Sequence, residues 1–368
     1  MSLAGTIQEM QVYRFDLPLK EVFTIATMSL GVARNLLVRL RTSQGLTGWG
    51  EASPFRAIVG ETQATAEAAA AELRPLVLGR DPLAIGPLME ELDRHLPHHG
   101  TLKSALDMAL HDLAAQACGL PLYAYLGGER RELETDLTIG IGDPGTAGDK
   151  ARRYQAMGFR SIKVKLGQDD RDDLRRLENV RAAVDPDIRV RIDANQGWDR
   201  VRACRNLDAY RDLDIQFCEQ PCAADDLQGL AWISRHAAIP VMADESLFTA
   251  AQALELIQRD ACPYFNVKLS KSGGLHQAGR IAAVAAAGRR PCMLGCMSES
   301  LLGITAAAHF ACAHPVFRFF DLDSCLEHAE NPILGGARYL GGTIALPDGP
   351  GIGAWPDPEG LKTLQVVP

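Results

Sequence analysis

The sequence of 368 residues has no apolar run long enough to cross a bilayer: its longest small-apolar stretch, Ile281 to Gly288, falls far short of the roughly 20 residues a membrane helix needs. Its first residues, MSLAGTIQEM, lack the basic start and apolar segment of an export signal, so a cytoplasmic protein with no membrane partner is expected. It has no clustered stripe of Lys and Arg, and its net charge is −8. Phosphate binding needs such clusters, which argues against a nucleic-acid partner. A disulfide framework is also lacking, because nine cysteines are an odd number scattered along a long chain and suit reduced thiols. Two C-x3-C pairs, Cys218/Cys222 and Cys292/Cys296, have zinc-like spacing. Each straddles the end of a different buried strand, where small thiols pack as core, and zinc is not expected.

What is present is an ordinary soluble composition, 47% apolar and 23% charged. The length exceeds what one hydrophobic core usually fills, which implies a large domain and a smaller one. Alternating apolar stretches at Gln8–Leu17, Asn35–Arg41 and Leu46–Glu51 predict an antiparallel meander, and Thr62–Leu78 and Thr101–Cys118 predict amphipathic helices. Residues 1–125 are therefore expected to form an α+β domain, closed by Gly119, Pro121 and the Gly127-Gly128 pair. Beyond it, eight short runs alternate with helical stretches: Leu137–Ile141, Ser161–Leu166, Arg189–Asp193, Ile215–Glu219, Val241–Asp244, Tyr264–Leu269, Cys292–Cys296 and Phe317–Asp321. Their terminal residues recur every 24 to 28 positions, the period of a TIM-like barrel over residues 126–324. An open doubly wound sheet would alternate in the same way. The charged residues favour a barrel, because they cluster at the strand ends, where barrel chemistry converges on one mouth.

Three acids end consecutive strands: Asp193 in R-I-D-A-N, Glu219 in F-C-E-Q-P and Asp244 in M-A-D-E-S. Any one alone reads equally well as a capping or salt-bridged residue. Together, in a low-dielectric mouth, they would repel, and a hard divalent cation such as Mg²⁺ is the natural way to keep them ionised. Lys163 and Lys165 in S-I-K-V-K-L-G share one strand face, and Lys268 ends a strand opposite. The plain alternative is that these lysines only neutralise the acids. Facing each other across a cation, however, Lys165 and Lys268 would form a two-base pair for a carbon acid next to a carboxylate, with the ion stabilising the developing charge. An unperturbed lysine has a pKa of about 10.4, and a neighbouring ammonium and metal ion would lower it toward the working range.

K-V-K at 163–165, D-A-N at 193–195, E-Q-P at 219–221, A-D-E-S at 243–246 and K-L-S-K-S-G-G at 268–274 together resemble the muconate-lactonizing-enzyme subgroup of the enolase superfamily, over residues 6 to 353. Enolase-superfamily sites are a known example of Lys and Mg²⁺ chemistry. The resemblance implies a (β/α)7β barrel under an N-terminal α+β capping domain, to which the segment 325–368 would return. It also implies Asp193, Glu219 and Asp244 as ligands of one Mg²⁺, Lys165 and Lys268 as the acid/base pair, and oligomer formation. The F-F-D-L-D-S end of the eighth strand, with Asp321 and Asp323 two apart and expected on one side, suits a cationic amino group. It looks like the mark of the dipeptide epimerases, which bind a free α-amino group there. That likeness would set Thr138, Lys163, Cys296 and Ser298 along the bound peptide, with Lys163 near its carboxylate. The second side chain would meet the loops Val22–Ser29 and Ser53–Gly60. Members resembling the Ala-Glu epimerases carry a cation in the first loop; V-F-T-I-A-T-M-S here points to an uncharged or hydrophobic residue.

The expected activity is thus epimerisation of an L,L dipeptide to L,D at its C-terminal residue, by 1,1-proton transfer through an enediolate. An N-acylamino-acid racemase or o-succinylbenzoate synthase would share the metal and lysines but leave Asp321 and Asp323 unexplained. A barrel that only binds, without catalysis, would leave the whole set unexplained.

Overall fold

The computed structural model describes residues 3–367. The chain opens with a meander of long strands, Ile7–Thr24, Ser29–Thr42 and Thr47–Ala52, paired antiparallel in that order. The first strand runs past Pro18 to Thr24 with a register shift, so Val22–Thr24, expected within the loop Val22–Ser29, are strand. Helices Gln63–Val77, Ile85–His95 and Gly100–Ala117 follow. The second of these escaped the sequence reading, although Ile85, Leu88, Met89 and Leu92 form its buried stripe. Val366–Val367 pairs with Val12 and Tyr13, so the last strand joins the first sheet.

The helix Gly100–Ala117 is buried on nearly every side, as befits an element sandwiched between sheet and barrel. Close approach needs glycine: a Cβ on Gly50 would lie 1.9 Å from the Ala105 carbonyl oxygen, and one on Gly48 2.3 Å from that of Ala109. Three of its buried polar residues are partnered outward. Lys103 Nζ meets Asp93 at 2.7 Å, Asp112 accepts from Trp49 N and Ile352 N, and Asp107 accepts from His276 N at 3.1 Å. These bonds clamp the helix to the sheet, to the C-terminal segment and to the chain beyond the sixth barrel strand.

The remaining core is a parallel eight-stranded sheet in sequential order: Leu137–Ile139, Ser161–Lys165, Arg189–Asp193, Ile215–Glu219, Val241–Ala243, Tyr264–Lys268, Cys292–Gly295 and Phe317–Asp321. A bridge between Thr135 and Phe320 closes it into a barrel. A helix returns between each successive pair of strands, and the eighth leads into the short helix Ser324–Glu327. The architecture is the (β/α)7β barrel with an N-terminal α+β cap. Among the described residues no helix is long and apolar enough to cross a membrane, and all nine cysteines are free.

Candidate active site

Register builds the site. Across the second, third and fourth strands Lys165 pairs with Asp193 and Asp193 with Glu219; on the other side Lys268 pairs with Gly295 and Gly295 with Asp321. Asp244 follows one residue after the fifth strand. All six charged side chains are buried, and Asp193, Glu219 and Asp244 fully so. Lys165 Nζ lies 2.6 Å from Asp193 Oδ2, and Lys268 Nζ lies 2.8 Å from Asp244 Oδ2. The two lysines thus hold the outer acids of the trio, with the Glu219 strand between them in barrel order. Gly295 makes this possible, because a Cβ there would stand 3.1 Å from Lys268 Cε and 2.7 Å from Asn266 Oδ1.

Lys163 shares the face of Lys165 and touches three carboxylates: Glu219 at 2.6 Å, Asp321 at 2.8 Å and Asp193 at 3.3 Å. Burial disfavours its charge, but those acids outweigh it and raise its pKa well above the ordinary lysine value. Lys268 is raised too: burial opposes it, and Asp244 and Glu219 prevail. Burial, with Asp193 adding to it, pushes Glu219 up to about 7. Burial acts the same way on Asp193 and Asp244. There Lys165 and Lys163 on the first, and Lys268 and Lys271 on the second, hold the carboxyls below the ordinary carboxylate range.

Several positioning residues were hidden inside the motifs that mark the site. Asn195 donates its backbone N–H to Asp193 Oδ1, and its side chain donates to Glu245. Gln220 Oε1 accepts from the backbone of Asp244 and Ser246. Asn266, two residues before Lys268 and so on its face of the strand, donates to Glu219 Oε1 at 2.6 Å. Lys271 binds Asp244 through both carboxylate and carbonyl. Their signal was spacing, since each follows or precedes a strand-end charge by one to three residues.

Asp321 and Asp323 come together, though not by strand alternation. The eighth strand ends at Asp321, and Asp323 adopts helical backbone at the start of the next helix. Asp323 Oδ2 instead accepts the Thr138 backbone N–H at 2.8 Å, which pulls it into the mouth. Burial and the charge of Asp321 raise Asp323 to about 7. Cys296 Sγ lies 3.8 Å from Asp323 Oδ1, and Ser298 Oγ lies 3.5 Å from His328 Nε2. Thr138, Ser298 and Asp323 line one small cavity of ≈ 40 Å³, roofed by Leu19, Phe23, Leu30 and Phe55 of the cap, with Met297 also in its wall. The Phe23 ring stands 6.0 Å from Lys165 Nζ.

The donor set suits a hard cation. Asn195 Oδ1, Glu219 Oε2, Asp244 Oδ2, Glu245 Oε2 and Asn266 Oδ1 are buried oxygens without a hydrogen bond, and two of them meet lysines only as ion-pair contacts. Such a concentration of unbonded, partly anionic oxygen fits Mg²⁺ better than zinc. Among the described residues, three possible ligand atoms lie within 4.8 Å of one another at Cys296, Asp321 and Asp323. Asp321 there is bound by Lys163.

A capped barrel with acids on consecutive strand ends between two lysines is the construction of an enolase-superfamily enzyme. Residues 8–127 match the mandelate racemase / muconate lactonizing enzyme N-terminal domain, and residues 146–360 match the enolase C-terminal domain-like model. The chain belongs to the mandelate racemase / muconate lactonizing enzyme family. It is 38% identical to the L-Ala-D/L-Glu epimerase of Bacillus subtilis, over 94% of this chain and 96% of that one. The dipeptide epimerase of Cytophaga hutchinsonii, solved with Mg and D-Ala-L-Val, superposes with a TM-score of 0.96 at 37% identity, covering 98% of this chain and 99% of that one. The Enterococcus faecalis dipeptide epimerase, solved with Mg and L-Leu-L-Tyr, gives 0.92 at 35% identity, covering 95% and 99%.

Proposed function

We propose that the chain is a Mg²⁺-dependent dipeptide epimerase that interconverts L,L and L,D dipeptides at the C-terminal residue, with an apolar second side chain. The observation that carries this reading is the placement of Lys165 on Asp193 and Lys268 on Asp244, the two outer acids of the trio. One ammonium or amine on each flank of a bound α-carbon is what removal from one face and return to the other require. Asp193, Glu219 and Asp244 would hold the ion, which would supply charge stabilisation at the substrate carboxylate oxygens as the α-proton leaves. Lys163, paired with three acids, keeps the middle of the site near neutrality. Asp321 and Asp323 take the free α-amino group, and the cap excludes water above Lys165.

The related enzymes are named for epimerising dipeptides of several kinds, including Ala-Glu in Bacillus subtilis and hydrophobic dipeptides in Enterococcus faecalis. Leu19, Phe23, Leu30, Phe55 and Met297 around the mouth favour an apolar second side chain here, and no cation stands in the Val22–Ser29 segment to attract an acidic one. A panel of dipeptides in D₂O tests the reading by mass shift. Incorporation of one α-deuterium at the C-terminal residue is expected, whereas a panel without exchange sinks it. Asp323→Asn discriminates the N-acylamino-acid racemase alternative. Weakened dipeptide turnover supports the epimerase, and unimpaired dipeptide turnover with fast N-acyl substrates supports the racemase.

A further inference from the structure

Beside the mouth lies a second cavity of ≈ 390 Å³ that shares Phe23, Thr138 and Glu327 with the first. Its charges are nearly all committed. Glu21 is bound to Lys150 at 2.5 Å, Arg176 to Asp173 at 2.7 Å and to the Gly142 carbonyl, and Asp143 caps a helix through Gly145 N. Glu327 is the exception: among the described residues no cation stands within 4 Å of its carboxylate and no hydrogen bond reaches it. The nearby cations Lys150, Lys20 and Arg153 act on it only at longer range; Lys150 is bound to Glu21 and Lys20 to the Leu326 carbonyl.

Glu327 sits at the end of the four-residue helix that Asp323 begins, so its carboxylate is one helical turn from the group that takes the α-amino nitrogen. A half-buried carboxylate with no direct ion pair leaves the contact position open to a cation that a ligand brings. A first residue anchored by its amino group at Asp321 and Asp323 would send its side chain past Thr138 toward this carboxylate. The walls it would pass, Val22, Phe23, Ile139 and Ile141, suit an aliphatic stem, and the committed charges beyond offer no rival anion without a partner.

We propose that Glu327 is a specificity-determining residue that selects dipeptides whose first residue carries a cationic side chain, lysine or arginine. The proposal rests on the dipeptide-epimerase reading and adds to it the identity of the first residue.

The test compares Lys-Leu with norleucine-Leu, which has the lysine stem without the ammonium, and with Ala-Leu. The parent enzyme should favour Lys-Leu over norleucine-Leu in kcat/KM by about tenfold. Glu327→Gln should collapse that ratio toward one, and Glu327→Lys should invert it while favouring Glu-Leu. A merely structural role would lower all substrates together and leave the ratio intact, which overturns the proposal. So does a parent that turns over Ala-Leu with no preference for lysine. Failure of every dipeptide, Ala-Leu included, would instead strike the epimerase reading itself and take the Glu327 assignment with it.

Discussion

Lys163 Nζ lies 2.6 Å from Glu219 Oε2, a buried cation set against the central member of three buried acids. Removing it by Lys163→Met leaves Asp193, Glu219 and Asp321 without their shared countercharge. Breaking such a buried contact costs about 3–5 kcal/mol. Denaturant unfolding in chelator should record that loss, and added Mg²⁺ should restore part of it. Equal loss with and without Mg²⁺ would mean that the ion and Lys163 do not act on the same charges.

Lys165→Ala and Lys268→Ala should each reduce epimerisation by roughly 10²- to 10⁴-fold, the usual contribution of a positioned acid or base. The two variants should differ in exchange. Each retains one base, and so should incorporate deuterium from only one of the two diastereomers, L,L or L,D. Exchange from both diastereomers in either variant would show that the bases are other residues.

Gly295→Ala places a methyl 2.7 Å from Asn266 Oδ1 and 3.1 Å from Lys268 Cε, so Asn266 must shift and the lysine must give by a few tenths of an ångström. Displacement of a catalytic group by about 1 Å costs on the order of 10²-fold, so a shift of a few tenths should cost several-fold. The expected result is a fall in kcat with little change in the thermal midpoint. An unaffected kcat would mean that Lys268 has room to spare.

Acid should destabilise the fold through two histidines. Burial lowers His309 from 6.5 to about 4, and burial with Lys20 lowers His328 to about 4. His309 joins the Tyr123 backbone N–H to the Ile352 carbonyl, a pairing that needs the neutral ring. The unfolded chain takes up these protons near pH 6.5 and the folded one only near pH 4. Their contribution is therefore complete above pH 6.5 and lost as pH falls toward 4, at up to about 1.4 kcal/mol per pH unit for each ring. Unfolding free energy measured from pH 7 to 4 should show this slope, and His309→Asn, which keeps an acceptor near the Nδ1 position, should reduce it by one proton.

Much of this was legible because barrels write their chemistry at strand ends. Asp193, Glu219, Asp244, Lys165 and Lys268 each close an apolar run; the period between them marks repeated strand-helix units, and their place at the strand ends favours a barrel over an open sheet. The helix Ile85–His95 went unread because Gly86 and Pro87 interrupt its pattern, although proline is tolerated in a first turn. Asp323 was expected on the strand face of Asp321, but the strand ends there, and what turns it inward is the backbone of Thr138, 185 residues away. Local spacing carries no record of such a bond. Glu327 was unreadable for the same reason, since it reaches the mouth through a turn of helix and a neighbouring strand.

The ladder pairing Lys165 with Asp193 and Asp193 with Glu219 separates reactivity from the loops. Neighbouring strands stand about 4.8 Å apart whatever connects them, so lengthening a return segment leaves these groups where they are. Deleting one residue inside a strand does the opposite, slipping the alternation and turning its terminal charge out of the barrel. Variation among descendants of such a frame should accumulate in the lid and at the tips while strand lengths stay fixed.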